Sequence, residues 1–564
     1  MPEPATEPDT EPTVEAASSR ASGTQWARNP VLPGFHPDPS VCRVGEDYYL
    51  VNSSFEYHPG LPLHHSRDLV HWRPIGHAVD RPGQLSLAGV RPSGGLYAPH
   101  LSHHDGVFRI VCTLVDGHGP DGTFLLTADD PAGPWSDPLW LPDAPGFDPS
   151  LFFDEDGSAH LLGTRQIHAD GRTAIWLRAY DLTTGKPTGP EHVLFHGALV
   201  AARWAEGPHL YRHDGYYHLV LAEGGTEHDH AVTTARSRRL AGPYENNPRN
   251  PVLTHRHLGR DHPVTGAGHA DLIRTPGGDW YALLLASRPY GGGPHANLGR
   301  ETFLARVVWE DGWPVVNPGA GRLTEETEVA LPPHPWPAAD PVDHFDGPGL
   351  APHWNVLRTP PTPVHSLTAR PGHLRLPLLP QTLADHAAPA FVGRRQQHID
   401  VTADTALDFA PAGPHEAAGL AVLYDAEHHV TLLVTGDGRP GGRVARVTVR
   451  DAGVQTVRGE APLPPGPVRL SVRARGQEYT FGWAPVGAGP GEAAAVVAVA
   501  TVDGRLLNSA HAGGFTGCYL GLYATARRDG GSGDGSHNGS GSGNHADFDW
   551  FGYHPEPGPG GAAG

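Results

Sequence analysis

Through roughly the first 300 residues, a short polar turn followed by an aromatic or aliphatic run recurs. It reads Glu46-Asp47-Tyr48-Tyr49-Leu50, then Asp105-Gly106-Val107-Phe108-Arg109-Ile110, then Asp156-Gly157-Ser158-Ala159-His160-Leu161. It returns as Asp214-Gly215-Tyr216-Tyr217-His218-Leu219 and as Gly278-Asp279-Trp280-Tyr281-Ala282-Leu283. The aspartates are spaced by 58, 51, 58 and 65 residues. Asp-Gly between apolar runs is a strong hairpin signal. Five units of this length match blades of four short strands, so the period predicts a five-bladed β-propeller.

A second series runs seven to ten residues ahead of each turn. It is Asp38-Pro39-Ser40-Val41, Ala98-Pro99-His100-Leu101, Asp148-Pro149-Ser150-Leu151, Glu206-Gly207-Pro208-His209-Leu210 and His269-Ala270-Asp271-Leu272. That offset is one strand plus a bend, and the first strand of a propeller blade borders the central channel. Asp38, Ala98, Asp148, Glu206 and His269 are therefore expected to crowd around one axis. Beyond Pro318 a Pro-rich stretch, LPPHPWPAADP, leads into alternating runs such as AGLAVLY, HVTLLVTG and RVARVTV. Those runs suit an antiparallel β-sandwich. The expected layout is a disordered tail (1–27), a propeller (28–320), a linker (321–342), a sandwich (343–553) and a second disordered tail (554–564). Residues 528–545 read as a Gly/Ser-rich flexible insertion.

Composition narrows the class without changing it. With 73 glycines and 59 prolines in 564 residues and 18% charged positions, a coiled coil or long-helix bundle is excluded. The net charge of −20 argues against nucleic acid or an anionic membrane surface as partner. No apolar stretch is long enough to span a bilayer. Cys42, Cys112 and Cys518 are distant and odd in number, so no disulfide framework is implied. The acidic N-terminus lacks a basic n-region and an apolar h-region, and a cytoplasmic location is expected. The chain has 38 histidines, in clusters such as HLSHHDG and EHDHAV. With no nearby Cys and no HExxH, they are expected to face solvent, His228 to His230 at most catching a metal adventitiously.

Three carboxylates converging on one axis split their pKa values, leaving one protonated near neutrality while another stays ionised. That split is what glycoside hydrolysis requires of its acid and its base or nucleophile. Isolated Asp-Pro pairs more often cap strand ends; three at equivalent repeat positions are a different matter.

The segment NPVLPGFHPDPSVCRVGEDYYLVNSSFEYHPGLPLHHSRDLVHW resembles the opening of glycoside hydrolase family 43 β-xylosidases, as do GGLYAPHL, GFDPSLFFDEDG, WAEGPHLY, TGAGHADL and LGRETF. The resemblance is strong over about 28–320 and looser over 340–553, and it implies a five-bladed propeller. By it, Asp38 is the general base that activates water, Glu206 the general acid, and Asp148 the carboxylate that tunes and orients the acid. It implies inversion, with Asp38 and Glu206 about 6.5–9.5 Å apart. Phe55 and Tyr97 would wall the terminal-sugar pocket, although many relatives carry Trp at Tyr97 and at Tyr57. Arg300 would reach substrate hydroxyls and keep carboxylates ionised. His269 would sit beneath the site, in contact with a water shell or a central calcium ion. Phe515 would narrow the mouth from a sandwich loop, favouring exo action. No cofactor is required by this reading; a structural calcium ion and a homo-oligomer are left open. The expected function is an inverting exo-β-1,4-xylosidase acting on xylo-oligosaccharides, with α-L-arabinofuranosidase or a bifunctional enzyme as the alternative. A non-catalytic carbohydrate-binding propeller and a protein-interaction scaffold are the readings from other classes.

Overall fold

The computed structural model describes residues 23–117, 121–167, 171–200, 203–487, 496–526 and 543–556. Residues 1–22 of the expected first tail, most of the Gly/Ser-rich insertion and 557–564 of the second tail lie outside them. The described chain is almost entirely β: five antiparallel sheets come from residues 40–79, 95–140, 147–195, 206–254 and 265–316. Their inner strands are Ser40–Val44, His100–His104, Phe147–Phe153, Glu206–His213 and Thr265–Arg274. Each inner strand neighbours the next, and the fifth returns to the first, so the sheets close as blades around one axis. Asp105-Gly106 and Asp214-Gly215 form two-residue turns with φ positive at both residues, as the hairpin signal requires.

Hydrogen bonds at the third residue of each leading motif tie the ring together. Leu101 N donates to Ser40 Oγ, Leu151 N to His100 Nδ1, and the Ser150 hydroxyl to Pro208 O. Tyr211 Oη donates to Asp271 Oδ1 at 2.5 Å, and Ser40 Oγ and Val41 N donate to Asp271 Oδ2 at 2.8 and 2.9 Å. Every blade is thereby linked to its neighbour through buried polar groups at the axis.

Two boundaries differ from expectation. Gln25–Arg28, assigned mostly to the tail, pairs antiparallel with Glu326–Val329 of the assigned linker. The Asn29 amide then donates to Leu304 O while Leu304 N donates back to Asn29 Oδ1, fastening the chain start to the fifth blade. The pairing was hidden because four-residue strands carry little periodicity.

From Val342 onward, a seven-stranded and a six-stranded antiparallel sheet pack face to face around a core including Leu420, Leu432, Val447, Leu470, Phe481 and Phe548. The outer face of the six-stranded sheet leans on the propeller. Tyr57 of the first blade stacks on Tyr519 with ring centroids 3.9 Å apart, inside a cluster that joins Phe35 and Phe55 to Phe391 and Tyr523. Cys42, Cys112 and Cys518 are free and buried. No helix among the described residues is long and apolar enough to cross a membrane.

The histidines depart from the solvent-facing expectation: twelve are buried among the described residues. His36, His64 and His77 lie near the Arg395 guanidinium, and burial together with that charge holds all three neutral, His64 and His77 at about 3. Imidazole serves here as a compact, half-polar filler of blade interiors.

Candidate active site

At one mouth of the channel, a cavity of about 310 Å³ is lined by all five leading residues, Asp38, Ala98, Asp148, Glu206 and His269. Phe55, Tyr97, Arg300 and Phe515 complete the expected set around it. The local backbone explains the convergence. Asp38, Asp148 and His269 have φ of 50°, 50° and 51°, and the repeat-equivalent residue of the fourth blade is Gly207, at 56°. The third, fourth and fifth inner strands carry bulges here, between Phe147 and Ser150, Glu206 and His209, and Gly268 and Asp271. A bulge re-aims a side chain at the end of a strand. The left-handed conformation costs a non-glycine residue roughly 1–2 kcal/mol. Such strain gathers at functional sites. In the fourth blade glycine takes the strained position and the carboxylate moves one residue earlier, to Glu206.

Arg300 organises the carboxylates. Its Nη1 donates to Asp38 Oδ1 and to Thr226 Oγ1, both at 3.0 Å, and Nη2 donates to Phe515 O at 3.3 Å. The Ser53 hydroxyl donates to Asp38 Oδ2, and His269 Nδ1 lies 3.7 Å from Oδ1. Burial pushes Asp38 toward its neutral form, but Arg300, His269 and the Ser53 bond outweigh it and hold the carboxyl below its ordinary value. Asp148 goes the other way: burial, then the Asp38 charge, push it up to about 8. Glu206 is raised well above the ordinary range by burial, then by Asp148 and Asp38. The site therefore holds one carboxylate ionised and two carboxyls protonated in mildly acidic solution. His269 is pushed by burial to about 4 and is neutral there.

A pH-dependent stability follows. The folded protein keeps a proton on Asp148 up to about pH 8, whereas the unfolded chain releases it near the ordinary 3.8. Stability contributed at this position falls as pH rises through that window. Asp148→Asn removes the effect, so the melting temperature of the variant should gain on the parent from pH 5 to pH 8. An equal difference at both pH values would contradict the assigned proton.

Phe55, Tyr97 and Phe515 form the apolar wall. Phe55 stacks on Phe515 with centroids 5.9 Å apart, and Tyr97 meets Phe55 at 5.3 Å. The Phe515 loop comes from the sandwich, and both its backbone groups are held: Phe515 N donates to Ser93 Oγ at 2.9 Å, and its carbonyl accepts from Arg300. The run leading to Arg300 touches the same loop. Cys518 N donates to Asn297 O at 2.8 Å, and a Cβ on Gly517 would sit 2.5 Å from Leu298 O.

Several groups escaped the sequence reading. Ser53 stands two residues before Phe55 in the quoted motif and carries no signal of its own. Thr226 and His230 lie on the loop after the fourth blade's second strand; His230 is buried and lines the cavity instead of facing solvent. Trp204, two residues before Glu206, stands 37% exposed at the rim and meets Phe147 edge-on. A tryptophan two residues before a carboxylate motif was the legible signal.

The family resemblance leaves either a water shell or a calcium ion at His269. Calcium takes six to eight oxygen ligands. Below His269 the protein offers the imidazoles of His100 and His209 and the Asp271 carboxylate, whose oxygens already accept from Ser40, Val41 and Tyr211. That donor set does not fit a calcium cage built from protein groups.

A propeller funnel with split carboxylates, closed by a second β-domain, is the layout of an enzyme that cleaves glycosidic bonds. The family model for glycosyl hydrolases family 43 matches residues 27–314, and that for the β-xylosidase C-terminal concanavalin A-like domain matches 342–554. A xylosidase/arabinosidase of Butyrivibrio fibrisolvens is 46% identical over 72% of this chain and 80% of its own. A non-reducing end α-L-arabinofuranosidase of Bacteroides ovatus is 41% identical over 93% and 94%. The solved xylan β-1,4-xylosidase of Bacillus halodurans superposes with a TM-score of 0.85 at 36% identity, covering 94% of this chain and 100% of that one. The chain belongs to glycosyl hydrolase family 43 and is a glycoside hydrolase.

Proposed function

We propose that this hydrolase is an exo-acting, inverting β-1,4-xylosidase releasing xylose from the non-reducing end of xylo-oligosaccharides. The observation that carries the reading is the opposite electrostatic setting of Asp38 and Glu206 in one small, aromatic-walled cavity. Asp38, ionised, accepts a proton from a water that attacks the anomeric carbon. Glu206, protonated, gives its proton to the leaving glycosidic oxygen, so the sugar departs with inverted configuration and one water is consumed. Asp148 keeps Glu206 protonated by adding negative charge when it ionises, and Arg300 keeps Asp38 ionised. The Phe55, Tyr97 and Phe515 wall seats one terminal sugar and sheds its water.

Trp204 then offers a stacking platform for the next sugar. Trp204→Ala should raise KM for xylobiose and xylotriose several-fold while leaving KM for 4-nitrophenyl β-D-xylopyranoside within about twofold. Equal changes on all three would remove it from the leaving-group side.

The second reading is α-L-arabinofuranosidase, favoured by the named activity of the Bacteroides ovatus relative over nearly the whole chain. The test is hydrolysis of paired 4-nitrophenyl β-D-xylopyranoside and α-L-arabinofuranoside beside xylobiose, with the product anomer followed by NMR. α-Xylose appearing first from xylobiose supports the proposal. Fast arabinofuranoside cleavage with xylobiose untouched replaces it with the second reading.

A further inference from the structure

Away from the pocket, His428, Asp451 and His511 place one ligand atom each within 4.8 Å of one another. They come from three separate pieces of the sandwich. His428 lies in the turn before the strand His429–Gly436, Asp451 ends the strand Arg443–Asp451, and His511 lies in the short helix Ser509–Ala512. His428 is oriented as a metal-ligating imidazole is: Nδ1 faces Asp425 Oδ1 at 2.9 Å, which leaves Nε2 turned toward Asp451 Oδ1 at 3.9 Å. A carboxylate behind the ring fixes the tautomer and the ring's orientation. His511 Nε2 lies 2.8 Å from the same Asp451 oxygen, and its ring stands at 89° to that of His428.

The 3.9 Å gap is too long for a hydrogen bond. It is near the separation of about 3–3.5 Å that two ligands show when each binds one ion at about 2.0–2.1 Å. His511 is exposed and free to open from 2.8 Å to that spacing. Two imidazoles and a carboxylate suit zinc, cobalt or nickel, whereas calcium prefers an all-oxygen shell. The ordinary alternative is a surface His511–Asp451 ion pair beside a turn in which Asp425 Oδ1 accepts from Glu427 N and His428 N; it leaves His428 Nε2, turned toward Asp451, without a role.

The location gives such an ion something to hold. The helix carrying His511 runs directly into the Phe515 loop, and Tyr424, beside Asp425, donates its hydroxyl to Gly513 O at 2.5 Å. Thr516 Oγ1 donates to Tyr424 O. We propose that His428, Asp451 and His511 form a binding site for a divalent transition-metal ion that ties the helix before the Phe515 loop to the body of the sandwich.

The experiment is calorimetric zinc titration of the full chain, untagged and chelator-stripped, beside His511→Gln, Asp451→Asn and Asp425→Asn. One zinc equivalent should be lost or weakened at least about 10-fold in each variant, the range seen when a ligand's supporting carboxylate is removed. Hydrogen exchange at amides 509–516 should slow on zinc addition in the parent and not in His511→Gln. Unchanged zinc stoichiometry and affinity across the variants would overturn the site. Loss of the equivalent without a change in exchange would overturn the tie, and displacement of zinc by equimolar calcium would overturn the cation class.

Discussion

Asp38→Ala should lower kcat by at least 10²–10⁴-fold on aryl xylosides and on xylobiose alike, the range that positioned proton transfer supplies. Both substrates need the same activated water, so leaving-group quality cannot rescue the loss. The fold should survive, because the Asp38 carboxylate lines the cavity, and Arg300 keeps its bonds to Thr226 and to the Phe515 carbonyl. Circular dichroism and the melting temperature report the fold, and stopped assays report the rate. Retained turnover on either substrate would move the base to another residue.

Glu206→Ala should separate the two substrates. Xylobiose has a poor leaving group and should lose about 10²–10⁴-fold in kcat. 4-Nitrophenyl xyloside, whose leaving group needs little protonation, should lose far less, and equal losses would contradict the acid role. In the parent, kcat/KM should fall at low pH as Asp38 takes up its proton. It should fall again at alkaline pH as the Asp148–Glu206 pair loses one. The alkaline value belongs to the pair and not to either residue. Asp148→Asn should move that limb, since the charge that holds Glu206 up is then gone.

The repeat spacing alone located all five blades, because Asp-Gly turns and aromatic runs are local signals. The leading motifs placed Asp38, Asp148 and His269 on one axis for the same reason. In the fourth repeat, aligning on Pro-x-aliphatic sets Gly207 opposite Asp38 and Glu206 one residue earlier, and the sequence carries that clue. What it does not carry is the partner of each charge. Ser53 and Thr226 look like any loop hydroxyls until the fold sets them against Asp38 and Arg300. The zipper between Gln25–Arg28 and Glu326–Val329 joins strands some 300 residues apart and too short to announce themselves. Composition says nothing about which side of a strand a ring occupies, so the buried histidines are not legible in it.

The carbonyl of Phe515 reaches across the domain boundary to the arginine that grips Asp38, while the Ser93 hydroxyl accepts from the same residue's amide. On the proposed roles the two folding units share one catalytic apparatus, and neither half alone should be active. Heat inactivation will track whichever unit melts first, even where the other remains folded. For the same reason, a chimera grafting this propeller onto a foreign sandwich inherits its activity only if the grafted loop offers a carbonyl at that spot.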